Sequence, residues 1–325
     1  MIEVLISVGV PVYNGEKYLK ESLNSILNQT YQNWECVIND NCSTDETASI
    51  AKEFAKQDSR FLYFKNEEFV PAINNWNITF SRINKNSILY KEVAADDWIF
   101  PNFLSETANL FKKNASIGIC SGCRIDQNRP QLGEGLDFYD SEIINGKQAL
   151  EKQMLGEYSL IGSLNSVILK VEYLKKLSSY PKIYNESNPN SDTELALDMF
   201  AISDVGFVYQ LISFTRRHNE TGTEKAKRFN YYIHSREINL LKWKSFANSL
   251  ELEYKQHRIE YAKFFLLQMI RRNTEVLEWH KSRLKSTFHI SEWFFGGYSL
   301  LISLPNIILR MRRAGKKEVS NNSGW

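Results

Sequence analysis

Cysteine is scarce in this chain. Cys36, Cys42, Cys120 and Cys123 are too few for a disulfide framework. The lone CxxC pair, CSGC at 120–123, has no second ligand pair nearby to complete a zinc site. It ends the apolar run SIGICSGC, so buried thiols are expected there. A surplus of one charge is also missing. The 40 Lys and Arg stand against 38 Asp and Glu, a net charge of +2, which removes the footprint of a nucleic-acid binder. A secretory leader is missing too: MIEVLISVGVPVYNGEKY has no basic head and no small-residue cleavage site. It reads as a strand of the mature fold, and a cytoplasmic protein is expected. Neither internal repeats nor long low-complexity tracts occur.

What the chain has is a supply of core. Hydrophobic residues make up 43% and charged residues 24%, with 19 Phe, 16 Tyr and 7 Trp, over a length of 325 residues. That is enough for one large domain or two ordinary ones. The first half alternates regularly. β-Branched runs at 3–10, 34–40, 60–66 and 87–95 read as strands. Between them, 16–29, 43–57, 72–83 and 101–114 carry apolar residues at helical spacing. Ser43 and Thr44 are expected to cap the second helix, and Pro101 to open the fourth. Short links between alternating elements predict an α/β fold with a mostly parallel sheet flanked by helices. Ligands then bind beyond the carboxyl ends of the strands.

From about 116 the rhythm loosens. Strands are expected over SIGICSGCRI, SLNSVILKV (163–171) and 205–218, with a loop at 126–146 and a helix at 191–202. A boundary near 223 is predicted, and the remainder, 224–325, turns helical. Its four histidines lack ligand spacing and read as surface or packing residues. The uncharged run WFFGGYSLLISLPNIIL (293–309) precedes RMRRAGKK (310–317), which holds five basic residues. Interrupted by Gly, Pro and Asn, the run suits a membrane surface at 291–317 better than a span. A helix packed on the protein with a solvated basic tail is the alternative.

Polar clusters fall at the predicted strand ends. Asp40 closes the second strand, where a carboxylate can accept from a ribose or a base edge, and no local duty is evident for it. Asp45, beside Ser43 and Thr44, has one as a helix cap. Asp96 and Asp97 follow the fourth strand. Together they can hold a hard cation such as Mg²⁺ or Mn²⁺, completed by substrate phosphates. They can equally form a turn that caps the helix after Pro101.

These residues carry a resemblance. The stretch ISVGVPVYNGEKYLKESLNSILNQTYQNWECVINDNCSTDET resembles the N-terminal signature of the family 2 glycosyltransferases, inverting enzymes of the GT-A fold. NNWN (74–77) and AADDW (94–98) are similar to the bacterial subgroup acting on surface polysaccharides. The likeness is clear over 3 to about 110 and weaker to about 223. It implies that Pro11, Tyr13 and Asp40 line the nucleotide-base pocket and that Asn14, with Gly15, shapes its turn. It places Asn75 near the nucleotide, Asp96 on the ribose or the ion, and Asp97 on a divalent metal (Mn²⁺ or Mg²⁺) beside the diphosphate. The family's general base sits at a helix start after the middle strands, which here gives Asp192 ahead of Glu194. In TRRHNETGT (215–223), Arg217 and His218 would reach the diphosphate or the metal, and Thr221 or Thr223 a phosphate oxygen.

Two departures stand out. Ala94 occupies the usual first Asp of the family's DxD, and Asn74 stands where many members have Arg, which leaves Arg217 to supply that contact. The implied partners are a nucleotide-sugar donor, UDP-linked, and a glycan or lipid-linked acceptor, with no nucleic acid. Three alternatives compete. A nucleotidyltransferase should show a Gly-rich, Arg-containing loop after the first strand, where this chain has PVYNGEKY. A processive synthase needs several long apolar spans. A scaffold that kept the fold and lost catalysis is separable only by assay.

Overall fold

The computed structural model describes residues 4–126, 129–132, 143–162, 164–217, 228–284 and 287–300. His218, Thr221, Thr223 and the basic run 310–317 lie outside them. The chain divides into two compact units, Met1–Thr221 and Gly222–Trp325.

The first unit opens with β1 (Ile6–Val12), α1 (Leu19–Leu27), β2 (Trp34–Asp40), α2 (Thr47–Gln57) and β3 (Phe61–Lys65). α3 (Ala72–Ser81), β4 (Leu89–Glu92), β5 (Trp98–Ile99) and α4 (Phe103–Lys113) follow. Next come β6 (Ile117–Asp126), β7 (Arg129–Gln131), β8 (Ile143–Ile144), α5 (Gly146–Leu155), β9 (Ile168–Lys170) and α6 (Val171–Leu174). α7 (Ser191–Ile202) and β10 (Asp204–Thr215) complete it. All the strands share one sheet, whose main order is β3-β2-β1-β4-β9-β6-β10-β5. β1 is buried along its whole length, as a central strand covered on both faces must be, and ISVGVPV is accordingly almost all apolar. α1 fits its place by burying Leu19, Leu23 and Ile26 at helical spacing.

β1, β2, β3 and β4 are mutually parallel. β9 then enters antiparallel between β4 and β6, and β5 pairs antiparallel with the end of β10. The sheet is therefore mixed beyond β4. The chain steps outward from β1 to β2 to β3, then returns to the far side of β1 as β4. That reversal opens a crevice at the carboxyl ends of β1 and β4. Register sets its depth: Val12 lies opposite Asp40 and Asp40 opposite Lys65, but β4 ends at Glu92 beside Gly9. The turn that follows β4 consequently rises beside the end of β1.

Several boundaries differ from the sequence reading. α2 begins at Thr47 with no side-chain cap from its N-cap residue Glu46, so Ser43 and Thr44 belong to the turn before it. α4 begins at Phe103; Pro101 precedes it, and its carbonyl accepts from the Thr30 N–H. The strand read over 163–171 shrinks to Ile168–Lys170, and the loop at 126–146 contains β7 and β8. All four cysteines are unbridged thiols, Cys120 and Cys123 buried on β6.

The second unit is helical among its described residues: α8 (Tyr231–Trp243), α9 (Asn248–Ile270), α10 (Thr274–Lys281) and α11 (290–300). Tyr261, Phe265 and Leu277 form its apolar centre, with Phe288 and Trp293 against them. Some polar groups are buried there with partners. Arg258 reaches Glu237 at 2.8 Å and Glu292 at 3.0 Å. The His280 Nε2 lies 2.6 Å from the Phe229 carbonyl, so it carries the proton and Nδ1 accepts the Tyr261 hydroxyl at 2.7 Å. Burial pushes His257 and His280 down to about 4. His234, His257 and His280 are thus packing residues, while His289 is exposed.

Candidate active site

Two turns at the ends of β1 and β2 are laced together. Asn14, in a left-handed conformation with φ of 50°, donates its N–H to Ser43 Oγ at 2.9 Å and accepts the Thr44 N–H on Oδ1 at 2.9 Å. The Gly15 N–H reaches Thr47 Oγ1 at 2.8 Å and the Glu16 N–H reaches Asp45 Oδ2 at 3.0 Å. Asp45 also accepts from the Thr47 N–H at 3.0 Å, and the Glu46 N–H goes to Glu16 Oε2 at 3.1 Å. Asp40 has a local duty after all. Fully buried, it accepts the Ser43 N–H at 2.8 Å and the Tyr63 hydroxyl at 2.9 Å. Pro11 is buried within β1, whereas Tyr13 is 51% exposed and meets the equally open Phe69 edge to face at 4.9 Å. That aromatic pair stands at the rim above Asp40.

Beneath the rim lies a lattice of amides. Asn75 accepts on Oδ1 from Asn39 Nδ2 at 2.6 Å and from Asn66 Nδ2 at 2.8 Å. Its own Nδ2 points to the Asn39 carbonyl at 3.3 Å. Asn66 donates to Asn41 Oδ1 at 3.0 Å, and Asn41 brackets Val70 through both its N–H and its carbonyl. Asn75 is therefore inside the lattice, fixing the loop that presents Phe69.

Across the crevice, the chain turns sharply after β4, the Asp97 N–H bonding the Ala94 carbonyl at 3.0 Å. Asp97 is 4% exposed and accepts the Arg216 N–H on Oδ1 at 2.7 Å. The carboxylate is thus used across the sheet and does not cap α4. Burial, and then the charge of Asp96, hold the Asp97 carboxyl well above the usual carboxylate range. Arg216 was not anticipated. Its Nε donates to the Asp96 carbonyl at 3.0 Å and its Nη2 to Glu21 Oε2 at 2.6 Å. Its guanidinium lies 4.3 Å from the Tyr18 ring centre. Arg217 turns instead to Asp126, with Nε 2.5 Å from Oδ1. Only position separates the two arginines: Arg216 follows directly on β10, the strand that β5 pairs with.

The third group comes from α7. Asp192 accepts its neighbour's N–H, that of Thr193, at 2.7 Å. Burial raises it to about 6. Glu194 is tied elsewhere, taking Asn185 Nδ2 and Asn188 Nδ2 at 2.8 Å each, which leaves Asp192 the less committed carboxylate of the two. The sequence reading also missed Glu92. At the end of β4 and 3% exposed, it accepts the Tyr90 hydroxyl at 2.9 Å. Burial drives it up to about 7, and the charge of Asp192 adds to the rise. Asp192, at the first turn of α7, is thus within electrostatic reach of Glu92 at the end of β4. Lys91, also buried, donates to the Val167 carbonyl at 3.1 Å. Burial holds its ammonium well below the usual lysine range, against the opposing pull of Glu92 and Asp97.

Residues 7–177 match the family model described as "Glycosyl transferase family 2". The chain belongs to that family. Among its relatives, an uncharacterized glycosyltransferase of Rickettsia conorii is 26% identical over 254 residues, 77% of this chain and 39% of the relative. The chain thus spans well under half of that relative. Among solved structures, TarS of S. aureus gives a TM-score of 0.56 at 16% identity, covering 80% of this chain and 43% of TarS. The mannosyltransferase PcManGT of Pyrobaculum calidifontis, in complex with GDP-Man and Mn²⁺, gives 0.53 at 16% identity, covering 92% and 80%. The glycosyltransferase fold is of the GT-A type.

In this member of the family the donor set at the β4 turn suits a hard cation. Asp96 and Asp97 offer oxygens, and a cation would offset the charge of half-buried Asp96 against buried Asp97. No cluster of three or more His, Cys, Asp or Glu that could hold a metal occurs among the described residues. The two aspartates therefore fit an ion that takes its other ligands from phosphate and water.

Proposed function

We propose that this glycosyltransferase moves a sugar from a nucleotide donor, UDP-linked, to a hydroxyl of a glycan or lipid-linked acceptor, with inversion at the anomeric carbon. The observation that carries the reading is the aspartate turn after β4, where Asp97 accepts the Arg216 N–H, with Asp192 of α7 within electrostatic reach of Glu92 at the end of the same strand. One TarS structure holds UDP-GlcNAc, which favours the UDP-linked class.

The base lodges beside Tyr13 and Phe69, with Asp40, Asn14 and the amide lattice holding that wall. Asp96 faces the ribose, and Arg217 would have to leave Asp126 to reach a phosphate. Asp97, with Asp96, would hold Mn²⁺ or Mg²⁺, which would neutralise the departing diphosphate. The acceptor hydroxyl attacks the anomeric carbon, the bond to the diphosphate oxygen breaks, and Asp192 takes the hydroxyl proton. Elevation to about 6 makes Asp192 a stronger base while leaving it ionised at neutral pH. The product is a β-linked sugar on a bacterial surface polysaccharide or its lipid-linked precursor. The work is done on the inner face of the cytoplasmic membrane, with 291–317 at its surface.

A panel of nucleotide sugars, scored by thermal stabilisation and by hydrolysis with and without Mn²⁺, tests the reading. Stabilisation confined to UDP-sugars, with Mn²⁺-dependent release of UDP, is expected. Binding without turnover would favour a scaffold, and indifference to every nucleotide would overturn the donor site.

A further inference from the structure

We propose that the outward face of α11 is a lipid-contact surface for a bilayer carrying anionic headgroups. The proposal deepens the membrane-surface part of the reading above and stands apart from the transfer chemistry.

One side of α11 is closed by packing. Trp293 joins the Tyr261 and Phe265 cluster, and Glu292 pairs with Arg258 at 3.0 Å. Ser299 lies 3.1 Å from Lys263 Nζ, and Leu300 is buried. Gly296 meets α9 so closely that an added Cβ would sit 2.9 Å from the Lys263 backbone nitrogen. The other side is open and apolar. Ile290 is 81% exposed, Phe294 70%, Phe295 52% and Tyr298 60%. Positions 290, 294 and 298 recur every four residues, so they form a single stripe. An outward helix face in a soluble protein is normally polar. Here the only charged residue from 290 to 300 is Glu292, already paired on the packed side.

The flanks decide what covers the stripe. After residue 300 the sequence stays uncharged to 309 and then gives Arg310, Arg312, Arg313, Lys316 and Lys317 with no acid among them. α9 ends on the exposed Met269 and Ile270, one turn past Leu266, against which Gly297 packs, and Arg271 and Arg272 follow. Aromatic and aliphatic groups bordered mostly by basic residues, the nearby Glu260 being paired with Lys263 at 3.7 Å, match the acyl–headgroup boundary of an anionic membrane. A second copy of the chain would need the opposite charge somewhere on the same patch. No helix among the described residues is long and apolar enough to cross a membrane.

Flotation of the full chain with vesicles tests this. Phosphatidylcholine vesicles are compared with vesicles that also contain phosphatidylglycerol. The wild type is expected to float with the mixed vesicles and to do so less in high salt. The triple variant Phe294→Ser, Phe295→Ser, Tyr298→Ser keeps every basic residue and is expected to lose about tenfold or more of that partitioning. Its circular dichroism and its stabilisation by UDP should be unchanged. Flotation of the variant equal to wild type, or no flotation of the wild type, would overturn the proposal. So would a solution dimer that the variant dissolves without any vesicle binding. Intact nucleotide binding in a chain that ignores vesicles removes this surface alone; lost nucleotide binding in a chain that floats removes the donor site alone.

Discussion

At the scale of single residues, the roles proposed for Asp97 and Asp192 separate binding from chemistry. Asp97→Ala should weaken donor binding by at least about tenfold, because a ligand to the ion is lost. Asp192→Asn should leave donor affinity intact and lower kcat by about 10²–10⁴, the range for a missing general base. Titration calorimetry and single-turnover rates read the two effects apart. The wild-type rate should fall below about pH 6 as Asp192 gains its proton. Glu92 gives a stability test. Its folded value of about 7 exceeds the ordinary 4.5, so the folded chain holds the proton more tightly. Its contribution is then greatest below pH 4.5 and is lost as pH rises toward about 7, by roughly 3 kcal/mol. Glu92→Gln should be more stable than wild type at pH 8 by up to that amount and indistinguishable near pH 4, in urea titrations. The sequence singles out Asp97 and Asp192 because a family pattern surrounds them. Glu92 was not, since a carboxylate inside LYKEV gains meaning only once Asp192 arrives from a distant helix. Arg216 was hidden for a similar reason, as its partners come from the turn after β4 and from α1.

At the scale of elements, the amide lattice joins β2, α3 and the loop after β3. Asn75→Ala should cost about 2–3 kcal/mol, because it strands the donors of Asn39 and Asn66 where water cannot reach them. A parallel loss of nucleotide affinity is expected, since the loop bearing Phe69 would loosen. Equilibrium unfolding and a UDP titration check both. Most strands and helices of the first unit could be read from apolar spacing, which depends on neighbours three or four residues away. Their ends could not. α2 starts late because Asp45 turns to Thr47 and to Glu16 of the preceding turn. β9 is short because it is wedged antiparallel between β4 and β6, a pairing no local pattern announces.

At the scale of the molecule, two compact units predict two steps in calorimetry, the usual departure from two-state melting in divided chains. UDP with Mn²⁺ should raise the step belonging to Met1–Thr221 and leave the other unmoved. One joint transition shifted as a whole would show that the units melt together. The change from alternating to helical pattern near 223 marked this division in the sequence. The buried Arg258 and His280 did not stand out there, because charged residues on a helix look alike until their partners are known.

The laced turns carry a last consequence. A helix start rich in Ser, Thr and Asp, just past a strand, is where a phosphate would ordinarily settle on open amides. In this chain the N–H groups of Asn14, Gly15, Glu16, Ser43, Thr44, Glu46 and Thr47 are all taken by side-chain oxygens. Asp45 also brings a negative charge to the head of α2. Asp45 and these taken amides disfavour an anion at the head of α2, which on the proposed reading would turn the diphosphate away from β2 and toward the aspartate turn.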